Sequence, residues 1–228
     1  MTTKRHRFVR DNGLTLGFGT AFLLALTGQA FAGHAEFNNE LTADGLAPIG
    51  LAAYLASSEF AVDVTENWQS EYLQFFLFIL GTVWLLQRGS PESKEIDEAG
   101  RGSDKEQRVG QYARADSPHW ARTRGWRQAV YSRSLGLLMG GLFLLSWFAQ
   151  AVAGSAAYNE QRLRQLQRPM GLGEYVLGAD FWSRSLQNWQ SELLAVASMA
   201  VFSVYLRQRG SPESKPVGTP HGAAGVES

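Results

Sequence analysis

Six polar side chains interrupt otherwise apolar stretches of this 228-residue chain: Gln29, Gln69 and Glu71, and again Gln150, Gln190 and Glu192. A carboxylate beside carboxamides at membrane depth is chemistry suited to a cation, a proton or a small polar solute. The same residues have a plainer use. A carboxylate in the first turn of a helix is stabilised by free N–H groups and the helix dipole, and a glutamine on a neighbouring helix can tie two spans together. Other chemistry is sparse. The chain has no cysteine, which excludes disulfides, thiolate nucleophiles and cysteine-ligated metals. It carries no nucleophile elbow, Walker loop, HExxH or CxxC pattern. No enzyme, cofactor or metal site is therefore expected. His34 stands near Glu36 and Glu40, but a solvated loop residue is the simpler expectation, as it is for His6, His119 and His221 in the tails and linker.

The elements that must position these residues come in two copies. Asn67-Trp68-Gln69-Ser70-Glu71 recurs as Asn188-Trp189-Gln190-Ser191-Glu192, and Gln87 to Lys94 recurs as Gln208 to Lys215, both displaced by 121 positions. At that offset, residues 8–94 match residues 129–215 at 34 of 87 positions without a gap, far above chance. Gly33/Gly154, Asn38/Asn159, Pro48/Pro169 and Tyr54/Tyr175 are among the matches. The expected organisation is a first repeat over 1–94, a flexible linker over 95–128, a second repeat over 129–215 and a disordered tail over 216–228.

Four apolar runs, at about 14–31, 68–87, 135–153 and 189–206, have the 18–20 residues that a helix needs to cross a hydrocarbon core of roughly 30 Å. The expected fold is an all-α membrane protein with four transmembrane helices, arranged as two tandem parallel two-helix repeats. Lysine and arginine set the topology. The tails and the stretch between the second and third spans carry 17 of them, the other two loops only 4. Both termini and the linker are expected in the cytoplasm, with a bacterial inner membrane as the location. Ala30-Phe31-Ala32 before Gly33 has the form of a signal-peptidase site, yet Ala151-Val152-Ala153-Gly154 holds the same register in mid-chain. A retained span is the simpler account.

Short amphipathic helices are expected from Leu51 and Leu172 on the outer surface, with Asn67 and Asn188 as caps of the following spans. Trp68 and Trp189 suit the membrane interface. Gly89 and Gly210 suit left-handed helix termination. Thr15-x-x-x-Gly19 and Gly136-x-x-x-Gly140 are small-residue patterns that would let the first and third helices meet. Interleaved Trp and Arg from Trp120 to Arg127 could touch anionic headgroups.

With these strings in hand, the chain resembles a family of bacterial multi-pass membrane proteins catalogued as a domain of unknown function. The likeness rests on Arg10 to Leu14, Gly28-Gln29-Ala30, Gly33 to Glu36, Glu66 to Glu71 and Gln87 to Lys94. The second copy departs from it where Ser132-Arg133-Ser134 replaces Asp11-Asn12-Gly13 and Ser155 replaces His34. The resemblance brings no activity, cofactor or ligand. A structural or accessory membrane protein is the first expectation and a small transporter or channel the alternative. The partners are the lipid bilayer and either a second copy or another membrane protein. A neutral net charge argues against nucleic acid.

Overall fold

A computed structural model describes residues 2–223, with side chains from residue 7 onward. About 66% of the chain is helical, and no strand occurs among the described residues. The helices are α1 (Thr2–Asp11), α2 (Gly13–Ala43), α3 (Leu51–Leu55), α4 (Ser58–Gly81), α5 (Trp126–Tyr131), α6 (Ser134–Arg164), α7 (Leu172–Val176) and α8 (Ala179–Tyr205). Short 3-10 turns at Ile96–Glu98, Gly110–Tyr112 and His119–Arg122 punctuate the linker. The final stretch of the expected disordered tail, 224–228, lies outside the described residues.

Two of these helices, α2 and α6, are long and apolar enough to cross a membrane, each with 31 residues. They begin 121 positions apart, as do α3 and α7, and α4 and α8. The helix ends depart from the expected spans. Helix α2 runs unbroken past Ala32 to Ala43, so His34 and Asn38 are helical and not in a loop. Helix α4 starts at Ser58 and α8 at Ala179, which places Asn67 and Asn188 well inside their helices and rules them out as caps. Helix α4 also stops at Gly81, short of Gln87. There the Val83 carbonyl accepts the Gly100 N–H at 2.7 Å, and the chain turns away. Gly89 and Gly210 do adopt positive φ, 83° and 84°, but in turns beyond the helices and not as helix caps.

The chain forms two compact units, Met1–Val64 with Val152–Gly171, and Thr65–Ala151 with Leu172–Ser228. In the first, Phe37 and Leu41 of α2 and Tyr54 of α3 form a small core with Ile49, Leu51 and Phe60 packed against it. Gly33 is required there, because a Cβ would collide with the Tyr54 hydroxyl. Helix α2 ends in a Schellman turn, with Gly45 at φ 75° and Leu46 N–H donating to the Leu41 carbonyl at 2.8 Å. Helix α6 ends the same way, with Gln167 N–H to the Arg162 carbonyl at 2.8 Å. Its left-handed position is taken by Leu166, at φ 58°.

In the second unit, the glycine pair of α6 seats α4. A Cβ on Gly136 would stand 3.5 Å from Leu80, and one on Gly140 only 2.7 Å from the Phe76 ring. The small-residue pattern of the second copy therefore serves α6 against α4. Around Gly19 nothing lies within 4 Å. The reason is complementarity of shape, because the absent side chains make a groove that the Phe76 ring fills.

Candidate functional site

One face of α6 carries Phe143, Trp147 and Gln150, spaced to align along a helix. Opposite it, α8 presents Phe181, Ser185 and Trp189 at intervals of four. Trp147 is the hub, with its ring centroid 5.6 Å from Phe143, 5.7 Å from Phe181, 5.9 Å from Trp182 and 5.8 Å from Trp189. Both indole N–H groups at its centre are satisfied. Trp147 donates to the Ser185 hydroxyl at 3.2 Å, and Trp189 donates to Gln69 Oε1 at 2.7 Å. That second bond ties α8 to α4.

The contacts of Gly136 with Leu80 and Gly140 with Phe76 fix α4 and α6 as antiparallel. Carried along both helices, this register sets Gln69 level with Trp147 and Gln150 level with Glu66. The two glutamines then differ in depth by only about 4.5 Å, from three residues at 1.5 Å each. Both are fully buried. Gln69 Nε2 and both amide atoms of Gln150 have no partner. A buried carboxamide without a hydrogen bond is costly, so these glutamines carry an unmet polar cost in the second unit's interior.

The six sequence candidates thus part company. Gln69 and Gln150 are both fully buried, about 4.5 Å apart in depth. Gln29 is half-buried in the first unit. Glu71 and Gln190 are exposed, and Glu192 is half-buried. Glu71 and Glu192 also lose their expected first-turn position, because each follows thirteen residues after its helix begins. The helix dipole and free N–H groups act only over the first turn, so that account of the two carboxylates is withdrawn. The divergence of Gln69 from Gln190 was not legible from two identical NWQSE strings. Its signal lay elsewhere, in Trp147 and Trp182 replacing Leu26 and Ala61 at matched positions.

A polar chain missed by sequence reasoning lies at the Glu66 level. Arg184 pairs with Glu66 at 3.2 Å and with Asp180 at 3.4 Å, and Tyr175 donates to Asp180 at 3.1 Å. Burial, and then the Asp180 charge, push the Tyr175 hydroxyl well above the usual range. The matched position of Arg184 is Asp63, a reversal of charge that could have flagged it. Tyr54, in the first unit, is raised too, first by burial and then by Asp63, Glu59, Glu36 and Glu40.

Asn38 and Asn159 perform one identical task. Each carboxamide brackets a backbone unit, Asn38 at Ile49 with bonds of 3.0 and 2.8 Å, and Asn159 at Met170 with bonds of 2.8 and 2.7 Å. His34 Nε2 donates to the Ile49 carbonyl at 2.7 Å, so its imidazole is engaged in the same latch instead of being solvated. Nor is His221 simply solvated, because its Nδ1 meets the Val204 carbonyl at 3.1 Å. No group of three or more histidines and carboxylates able to hold a metal occurs among the described residues.

The duplicated RGSPESK strings fold alike. Ser93 Oγ accepts the Gln87 N–H at 2.9 Å, and Ser214 Oγ accepts the Gln208 N–H at 2.9 Å. Lys94 donates to the Gly100 carbonyl, and Lys215 to the carbonyls of Pro220, His221 and Ala223. Burial, and then the facing Glu213 carboxyl, raise Glu92 above the usual carboxylate range.

The fold and this layer define an all-helical protein with two helices able to cross a membrane and an interior polar layer bounded by tryptophans. The chain belongs to the family described as a domain of unknown function, DUF6766, whose model matches residues 5–226. No curated protein and no solved structure matches it.

Proposed function

We propose that this chain is a four-span integral membrane protein, two parallel two-helix repeats with tails and linker in the cytoplasm, and that it serves as a non-enzymatic structural or accessory component. The observation that carries the membrane reading is α2, whose most apolar stretch is only 6% buried. In water its exposed Leu14, Phe18, Leu23 and Leu24 would be strongly unfavourable, whereas lipid covers them at no cost. Its unbroken course past Ala32 favours a retained span over a cleaved leader. Helices α4 and α8, with 24 and 27 residues, reach about 36 and 40 Å. Their polar starts lie at the outer surface of the bilayer, and from Trp68 and Trp189 onward their apolar parts run about 21 and 26 Å into it.

The accessory reading is supported by where the duplicated polar groups are spent. The asparagines latch backbone and Gln69 holds Trp189, and the unduplicated Glu66 likewise holds Arg184, all of them scaffold contacts. The possible partners are a second copy or another membrane protein. A second reading, a small transporter or channel, is favoured by the unpartnered amides of Gln69 and Gln150.

One experiment separates the two, using the absence of native cysteine. Single cysteines along residues 69–78 and 190–199 are labelled in intact cells with an impermeant thiol reagent, with cysteines at Asn39 and Ser103 as outer and inner controls. The accessory reading expects labelling at Asn39, none at Ser103, and none deeper than Glu71 and Glu192. A stripe recurring every three or four residues toward Phe78 would replace it with a water-filled path. Labelling of Ser103 but not Asn39 would invert the topology.

A further inference from the structure

The membrane proposal leaves unexplained the segment that leads into α6. From Ser117 to Asn159 the chain contains no acidic residue, yet it carries Arg122, Arg124, Arg127 and Arg133 close to the start of the span. The 3-10 turn His119–Arg122 and helix α5 fold onto each other through Trp120 and Trp126, whose rings meet edge-on at 6.2 Å. This contact does not hide them, since Trp126 remains 67% exposed and Trp120 and Tyr131 each 40%. The Arg127 guanidinium lies over the Trp126 ring at 5.6 Å. Arg122, Arg124 and Arg127 are exposed and form no ion pair among the described residues, Arg122 donating only to the Ala115 carbonyl at 3.2 Å. Only Ser132 and Arg133 separate α5 from α6.

We infer that this folded segment, His119 to Tyr131, is an interfacial anchor that selects anionic phospholipid headgroups. The inference rests on the membrane reading above. Two observations choose the occupant. The first is charge complementarity, in which exposed guanidiniums that form no ion pair among the described residues can bind phosphate bidentately. The second is continuity, because a patch two residues from a spanning helix is held at the depth where indoles and headgroups coexist. The indoles supply amphipathic area at that depth, and the arginines supply the preference for negative lipid.

The test uses the full chain in phosphatidylcholine vesicles containing phosphatidylglycerol. Either lipid carries brominated acyl chains, at equal mole fraction in the two samples. The Trp126 signal is the difference between the native chain and Trp126→Phe. The expected result is stronger quenching of Trp126 by brominated phosphatidylglycerol at low salt, with the preference fading at high salt. In Arg122→Gln/Arg124→Gln/Arg127→Gln the preference falls toward unity, by up to about fivefold for each arginine. Equal quenching by the two lipids in the native chain at low salt overturns the inference, and so does quenching that spares Trp126 while reaching other tryptophans. Absence of quenching at every tryptophan would instead sink the membrane reading itself. The salt dependence of the native chain decides the matter even if the triple variant fails to insert.

Discussion

Gly19 and Gly140 are matched residues whose environments predict opposite outcomes for one substitution. A Cβ on Gly140 would stand 2.7 and 3.0 Å from two carbons of the Phe76 ring, against an ordinary contact of about 3.4–4 Å, so ring or helix must shift by several tenths of an ångström. Overpacking of that kind costs about 1–3 kcal/mol. Better helix propensity returns about 0.5–1 kcal/mol, which leaves Gly140→Ala destabilised by about 0–2.5 kcal/mol. Around Gly19 there is no neighbour within 4 Å, so Gly19→Ala keeps only the favourable part. The assay is reversible unfolding of the purified chain in mixed micelles, titrated with a denaturing detergent. Phe76→Leu added to Gly140→Ala should recover part of the loss through a coupling of about 0.5–2 kcal/mol. Equal shifts for the two alanine variants, or no recovery with Phe76→Leu, would refute the seating of α4 in the α6 groove.

The same assay checks four further expectations. Leu166→Gly should stabilise by about 1 kcal/mol, because Leu166 occupies the left-handed position that Gly45 fills in the other copy. Gln150→Met should be neutral or stabilising, since neither amide atom has a partner, whereas Gln69→Met should cost about 1 kcal/mol and perturb Trp189 fluorescence by removing its acceptor. Asn38→Ala and Asn159→Ala should each cost about 1–3 kcal/mol and speed amide exchange at Ile49 and Met170, respectively. Glu92 has a raised pKa in the folded state, so the fold binds its proton more tightly than the unfolded chain does. Stability should therefore be greatest below its ordinary pKa of 4.5 and fall as pH rises through the raised value, a loss that Glu92→Gln abolishes in melts across acidic pH.

Much of the fold was legible in the chain itself. Composition and apolar length marked α2 and α6, since covering about 30 Å of hydrocarbon demands a long uncharged run whatever its neighbours. The repeat offset was written in identical strings, and the structure's elements begin at that same offset. The short helices α3 and α7 announced themselves through Leu51, Tyr54, Leu172 and Tyr175, because one-faced burial imposes a helical spacing. Helix ends were not legible. An apolar run reports where lipid would stop, whereas backbone hydrogen bonding continues through polar residues such as Asn38 and starts as early as Ser58. Least legible was the use of matched residues. Gln69 and Gln190 sit in the same five-residue string, yet one is buried against Trp189 and the other is exposed. That choice depends on Trp147, Trp182 and the Gly136–Gly140 groove, which are close in space and far apart in sequence, so only the tertiary structure decides it.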